Sequence, residues 1–445
     1  MKIALLADIH GNLPALESVL KDVHKQGCEE IWHLGDLVGY GPFPEQSVQR
    51  LCREKAMSIV GNYDLKVLEF KKKEDEWKEK KDPAKFFSFQ WTHRQLSVST
   101  KRYLAALPEK MVLQRQSVRF LLVHGSPEAI DEPLTKDTPR RRFQELASAV
   151  NADIVLCGHT HEYFLKTFNG KKFINPGSVG RPFDSDPRAS YAVLTMENKK
   201  VQVKNIRIAY DVKRVAEKMK KEKFPEMLIR SLTTARSVDQ LKKEDEAFQV
   251  KILSQALQLA QRCHYEKKHS HQVARIALEL FDQLGELHGC GPSERLWLQL
   301  GSLLHDIGWI QGGFRHHKTA RDLIMGAKEL PLDPCARRVV ALIARYHRGA
   351  LPKRTHQCLD DLKPADQKIV KKLAALLRMA DGLDRSHLNL IEAVDCECSS
   401  QKIKIILKAA QLPRAEMVYG KKKADLFKQV FRKDVEFCWQ RSSAT

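Results

Sequence analysis

KIALLADIHGN, residues 2–12, holds the pattern that decides the fold: an apolar run that breaks off at Asp8 and His10. The same ending recurs down the chain. EIWHL (30–34) leads through Gly35 to Asp36, and MSIV (57–60) leads through Gly61 to Asn62. RFLLV (119–123) closes on His124, while DIVLC (153–157) passes through Gly158 to His159 and His161. These short apolar runs, with KKFIN (171–175) and SYAVL (190–194) after them, alternate with longer amphipathic stretches up to about residue 208. That alternation predicts an α/β layered sandwich. Open α/β sheets place their sites outside the carboxyl ends of the strands, where all these polar residues fall.

Seven oxygen and nitrogen donors at one rim suit a pair of divalent ions, with Asp36 as the bridge because a carboxylate has two oxygens to share. Paired ions clamp a phosphate, activate a water and stabilise a leaving oxygen. The glycines before Asp36, Asn62 and His159 let the backbone turn so that each side chain points inward. The order DxH, GD, GN, H, GHTH resembles the calcineurin-like metallophosphoesterase superfamily over roughly residues 1–210. GDLVGYGPFPE (35–45) and INPGSVGRP (174–182) resemble its small bacterial and archaeal phosphodiesterase branch. The resemblance implies one ion on Asp8, His10, Asp36 and His161 and another on Asp36, Asn62, His124 and His159, the metals being Mn, Fe, Ni, Zn or Mg. At IVGNYD (59–64) the chain departs from the family, which usually has a histidine after the asparagine to protonate the leaving group, helped by the neighbouring acid. Here Tyr63 stands beside Asp64. A phenol with a pKa of about 10 is a poorer proton donor at neutral pH than an imidazolium. Activated diesters, anhydrides and cyclic phosphates are therefore the expected substrates.

From about residue 246 to 391 the apolar runs lengthen and take helical spacing, as in VKILSQALQLAQRC (250–263) and HQVARIALELFDQL (271–284). Toward the end, IEAVDCECSSQKIKIIL (391–407) reads as two strands, KKADLFKQVFRK (422–433) as a helix and VEFCW (435–439) as a last strand. The expected organisation is a metallophosphoesterase domain over 1–236 and a charged linker or bridging helix over 237–247. An all-α HD domain over 248–391 and a small α+β appendage over 392–441 follow.

LLHDIGW (303–309) sets His305 beside Asp306 in an apolar helix. Burying the two unpaired costs several kcal/mol, so they call for a metal or for each other. Further candidates are His269, His316, His317, His347 and Asp381, a set similar to the ligands of HD-domain phosphohydrolases, which hold one or two divalent ions. Spacing favours His269 over His271, whereas His316 and His317 are not separable. Residues 248–441 resemble the C-terminal region of the exopolyphosphatase/guanosine-pentaphosphatase family, including HHK (316–318) and RYHR (345–348). In that family an actin-like fold precedes this region and carries the phosphatase activity, and that fold is absent here. What the resemblance implies is an HD fold with metal ligands and with Lys318, Arg345 and Arg348 placed to meet phosphate.

The totals bound the partners. The 445-residue chain has 43% hydrophobic residues and no apolar run of about twenty, so no membrane span is expected. Its ten cysteines form no CxxC pair, and with no secretion signal in MKIALLADIHGN they fit a reducing cytoplasm. The net charge of +21 allows a nucleic-acid partner, but much of it lies in mixed-sign runs such as FKKKEDEWKEKKDPAK (70–85), which read as solvated helix faces. The expected partner is a phosphorylated small molecule, a nucleotide or a polyphosphate, and a homo-oligomer is compatible with the sequence. The leading reading is a bifunctional metal-dependent phosphohydrolase. Its rivals are a phosphoesterase whose HD half senses a polyanion, and a protein Ser/Thr phosphatase.

Overall fold

The opening run forms the central strand of the first sheet, buried on both faces because the sheet is covered on both. Ile3 and Leu5 point into a core shared with the second sheet, and Ala4 and Leu6 point to the helix-covered side. The structure, a computed structural model, describes residues 1–197, 200–353 and 355–442. It divides into units Met1–Glu244 and Asp245–Thr445. The division falls inside the expected linker 237–247. From Val238 on, that segment is helical, as the start of the helix Val238–Arg262.

The strands of the first unit are β1 (Lys2–Leu6), β2 (Glu30–His33), β3 (Met57–Ser58), β4 (Lys110–Arg115), β5 (Val118–Val123), β6 (Ile154–Leu156), β7 (Tyr163–Phe168), β8 (Lys171–Pro176), β9 (Ala189–Glu197) and β10 (Lys200–Ile208). They form two five-stranded sheets, in the orders β10-β9-β1-β2-β3 and β4-β5-β6-β8-β7. The strands β1, β2 and β3 run parallel, as do β5, β6 and β8, so the carboxyl ends of five ligand-bearing strands face the same way within their sheets. Trp32, Leu34 and Ile59 meet Phe120, Leu122 and Leu156 between the sheets. Each large side chain so buried contributes about 1.5–3 kcal/mol. The helix Leu13–Lys25 starts directly after the β1 ligands, capped by Asn12, whose side chain accepts from the Ala15 amide. It buries Leu16, Val19, Leu20 and Val23, one helical face, against the sheet.

The second unit is helical, with a sheet of β11 (Ala393–Cys398), β12 (Lys402–Ala409) and β13 (Asp434–Arg441) in the order β11-β12-β13. Period-two alternation along β12 buries Ile403, Ile405, Leu407 and Ala409. Ile403, Ile405 and Leu407 join the same core as Val273, Ile276 and Leu377 of the helices, so the expected appendage shares the core of the helical part.

Candidate metal centres

Asp8, His10, Asp36 and His161 converge in the first unit, with one ligand atom of each within 4.8 Å of the others. The His10 and His161 Nε2 atoms are 3.1 Å apart, His161 Nε2 lies 3.5 Å from Asp8 Oδ1, and His10 Nε2 lies 3.7 Å from Asp36 Oδ2. On the other side of Asp36, His124 Nε2 is 3.4 Å from the same oxygen and 3.2 Å from Asn62 Oδ1. Asp36 thus stands between the two groups. His159 joins through its ring, whose centroid is 5.2 Å from that of His124. Gly35 and Gly61 are required by close approach: a Cβ on Gly61 would lie 2.1 Å from Asp36 Oδ1, and one on Gly35 2.8 Å from His124 Nδ1. Asp8, His10, Asp36, His159 and His161 all adopt positive φ, between 49° and 68°. Such strain in side-chain-bearing residues collects at functional sites.

The donor chemistry fits divalent cations. The Nδ1 atoms of His10, His124 and His161 face the carbonyl oxygens of Val38, Leu34 and Arg181 at 3.2, 2.7 and 2.5 Å. A carbonyl only accepts, so each Nδ1 carries a proton and each Nε2 points to the cluster, with a lone pair on His10 and on His161, the arrangement of a metal-binding imidazole. Two such lone pairs 3.1 Å apart repel unless a cation lies against them. Burial lowers the His10 and His159 imidazoles to about 4 and holds His161 well below the ordinary value, so all three are neutral, as ligation requires. Against burial, Asp36 pulls His124 up to about 9, the mark of an excess of negative charge there.

The remaining residues of the first site divide in two. The Asp64 carboxylate takes the backbone N–H groups of Leu37, Val38 and Gly61 at 3.3, 3.0 and 3.0 Å. It therefore ties the Asp36 and Asn62 loops together. Burial and then Asp36 push it up to about 7. Tyr63 faces the cluster. Its N–H donates to Asp36 Oδ1 at 2.7 Å, its ring meets His10 edge-on at 5.4 Å, and its hydroxyl is hydrogen-bonded to that of Tyr40. Burial, then Tyr40, raise its phenol well above the ordinary value, so it stays protonated.

Arg181, in the GRP of INPGSVGRP, was not among the expected site residues. It is 5% exposed, its guanidinium lies 3.4 Å from the Tyr40 ring centroid, and its Nη2 donates to Ser231 at 2.8 Å. Among the described residues no carboxylate lies within ion-pair distance of it. Its charge helps to depress His10 and His161.

The second cluster assembles around Asp306. Its Oδ2 lies 3.6 Å from His305 Nε2 and 3.9 Å from His269 Nε2, and its Oδ1 lies 3.2 Å from His316 Nε2 and 3.4 Å from His347 Nε2. Asp381 Oδ1 stands 3.5 Å from His269 and 3.8 Å from His305. Nδ1 of His305, His347 and His316 again faces a carbonyl, at 2.7, 2.6 and 3.1 Å, so the Nε2 atoms face inward. His269 is oriented by the Asp384 carboxylate at 2.8 Å, a residue sequence reasoning missed although it lies in the same DGLD string as Asp381. His317 turns away, its Nε2 lying against Gly349. A cavity of about 870 Å³ opens onto Asp306, His316, His347 and Asp381. Arg348, Arg385, Lys422 and Lys423 line it, with Trp309 and Tyr419. Lys423 is ion-paired with Asp381, and burial lowers its ammonium to about 7. Of the expected phosphate-facing cations, Arg348 lines this cavity. Lys318 and Arg345 do not.

A chain with this first fold and site is a metal-dependent phosphoesterase. Residues 1–199 match the calcineurin-like phosphoesterase superfamily domain, and the chain belongs to that superfamily. Residues 253–417 match Ppx/GppA phosphatase, domain III. The chain is 30% identical over 249 residues to the uncharacterised protein MJ0912 of Methanocaldococcus jannaschii, covering 51% of this chain and 95% of that one. It is 26% identical over 207 residues to the phosphodiesterase YfcE of Escherichia coli K12, covering 44% and 87%. Among solved structures, a metallophosphoesterase from Sphaerobacter thermophilus is 29% identical and covers 53% of this chain and all (100%) of that one, with a TM-score of 0.44.

Proposed function

We propose that the chain carries two separate phosphate-cleaving metal centres: a dinuclear phosphodiesterase or phosphoanhydrase site in the first unit and an HD-type site in the second, both acting on nucleotide-like substrates. The observation that carries the two-centre reading is Asp306, whose two oxygens face two different pairs of histidines, as Asp36 stands between two groups of ligands in the first unit. Bound divalent ions would supply positive charge against phosphate oxygens and make water more acidic. Asp8, His10, Asp36 and His161 would hold one ion of the first pair, and Asp36, Asn62, His124 and His159 the other. His269, His305, Asp306 and Asp381, with His316 and His347 across Asp306, would hold one or two in the second unit. Arg181 would meet a non-bridging phosphate oxygen. The protonated Tyr63 hydroxyl, steadied by Tyr40, would donate a hydrogen bond toward the leaving oxygen without giving up its proton. That division of labour favours leaving groups that depart without protonation.

Metal content and turnover measured together on the full chain test the reading, with bis-p-nitrophenyl phosphate, dinucleoside polyphosphates and guanosine polyphosphates as substrates. Asp36→Asn should empty the first centre and abolish one activity, and Asp306→Asn should empty the second and abolish another. A single activity lost in Asp36→Asn and untouched in Asp306→Asn would reduce the second unit to a non-catalytic module.

A further inference from the structure

Arg345 marks a second hollow, of about 540 Å³, on the second unit. It lies between the helices His316–Gly326 and Pro334–Arg345 and the short helix Gln357–Asp360. Arg321, Arg338, Arg345 and His356 line it, with Asp322 and Asp361. Two of the arginines already have anions: Arg321 Nη2 is 2.6 Å from Asp322 Oδ1, and Arg338 Nη1 is 3.3 Å from Asp361 Oδ2. Arg345 has none among the described residues. It is only 9% exposed, and its Nε is buried without a hydrogen-bond partner. Lys318 stands close enough to Arg315, Arg345 and Arg321 for their repulsion to lower its ammonium. His356 adds no further charge, because burial and then Arg345 lower its imidazole while Nδ1 takes the Tyr346 hydroxyl at 2.8 Å.

A buried guanidinium with an orphaned donor costs several kcal/mol, and here like charges crowd it further. An arginine fork fits the oxygens of a phosphate better than any point charge does. We propose that this hollow binds the phosphate group of a small phosphorylated ligand, with Arg345 as its central donor and Arg321 and Arg338 at its rim. The site is separate from the Asp306 cluster but built on the same helices. His316–Gly326 sends His316 to the cluster and Arg321 to the hollow, and Pro334–Arg345 ends in the hollow two residues before His347. An anion bound there is placed to influence the cluster's ligands, and linkage makes any such coupling reciprocal. The binding itself does not depend on the cluster being catalytic.

Inorganic pyrophosphate titrated into the EDTA-treated full chain tests the assignment, followed by calorimetry and by hydrogen exchange of residues 357–361. In the wild type, pyrophosphate should slow exchange in that segment. Arg345→Met should lose this protection and weaken the binding event that produces it by about tenfold or more, the worth of a charge-assisted hydrogen bond. Arg345→Lys, which keeps the charge but loses the fork, should weaken it severalfold and serves if the methionine variant does not fold. Lys423→Met, in the metal cavity, should leave the protection of 357–361 intact. Absence of protection in the wild type, or protection that survives Arg345→Met or is undiminished in Arg345→Lys, overturns the proposal.

Discussion

Replacing Arg181 by methionine keeps most of the apolar stem and removes a buried charge that has no anion. Two opposed contributions set the effect on stability. The wild-type guanidinium gains about 0.5–2 kcal/mol from lying over Tyr40, 3.4 Å from the ring centroid. Its 2.8 Å hydrogen bond to Ser231 adds about 0.5–1.5 kcal/mol. Holding the charge at 5% exposure without a counter-ion costs several kcal/mol, at least as much as the two contacts return. In the Mn²⁺-loaded protein, where the ions offset the carboxylates nearby, Arg181→Met should therefore leave the melting temperature unchanged or raise it. Activity should move the other way. A charge-assisted hydrogen bond to phosphate is worth about 1.5–3 kcal/mol, which is a loss of about 10- to 150-fold in kcat/KM. The assay is bis-p-nitrophenyl phosphate hydrolysis, alongside metal content and thermal unfolding of the same preparations. A melting temperature several degrees lower with kcat/KM unchanged would show that Arg181 is a strut between the Tyr40 loop and Ser231, and would refute the phosphate contact.

Tyr63→His should restore a titratable proton donor, raising turnover of alkyl phosphates by about 10²-fold or more while changing nitrophenyl esters little; the same gain on both esters would contradict this. Because Asp64 is committed to three backbone amides, Asp64→Ala should lower the melting temperature and the metal content together, whatever occupies position 63. His316→Ala should lower the metal content of the second unit and His317→Ala should not, since His316 Nε2 lies 3.2 Å from Asp306 while His317 packs on Gly349; equal losses would discard that distinction. His33 is fully buried, neither ring nitrogen has a partner, and burial lowers its imidazole to about 3. Its folded pKa lies below the unfolded value of about 6.5, so protonation favours unfolding and stability falls as the pH drops below that value, by about 1.4 kcal/mol per pH unit. His33→Leu should remove that portion of the slope between pH 6 and 4 in urea unfolding, and an unchanged slope would count against it.

The first centre was legible because its parts are local. A strand covered on both faces reads as an unbroken apolar run, so the polar residue that ends it stands out, and five such endings place seven donors without knowledge of the sheet order. The glycines were legible for a harder reason, since no Cβ fits between Gly61 and Asp36. Arg181 was not legible. A buried arginine without an anion is defined by what is missing around it in space, and the residues that hold it, Tyr40 and Ser231, come from distant parts of the chain. The small α+β appendage was legible as two strands, a helix and a last strand, but alternation in β12 shows only that one face is buried and not whose core that face joins.

Lys318 and Arg345, expected to meet phosphate, lie outside the cavity over the Asp306 cluster, and helix geometry gives the reason. Residues two apart on a helix point roughly opposite ways. His316 faces the cluster, so Lys318 on the same helix turns from it. His347 follows Arg345 by two residues at the end of its helix, and the two side chains part in the same way. Within RYHR, Arg348 therefore lines the cavity over Asp306 with His347 while Arg345 lines the other hollow, and the rest of that cavity's positive wall comes from elsewhere. Lys422 and Lys423 come from the helix Arg414–Lys423, inside the segment expected as the small α+β appendage. The helical part supplies the candidate metal ligands and the C-terminal segment supplies much of the charge that would hold phosphate against them, so Lys422→Met should spare the cluster but weaken its grip on a polyanion.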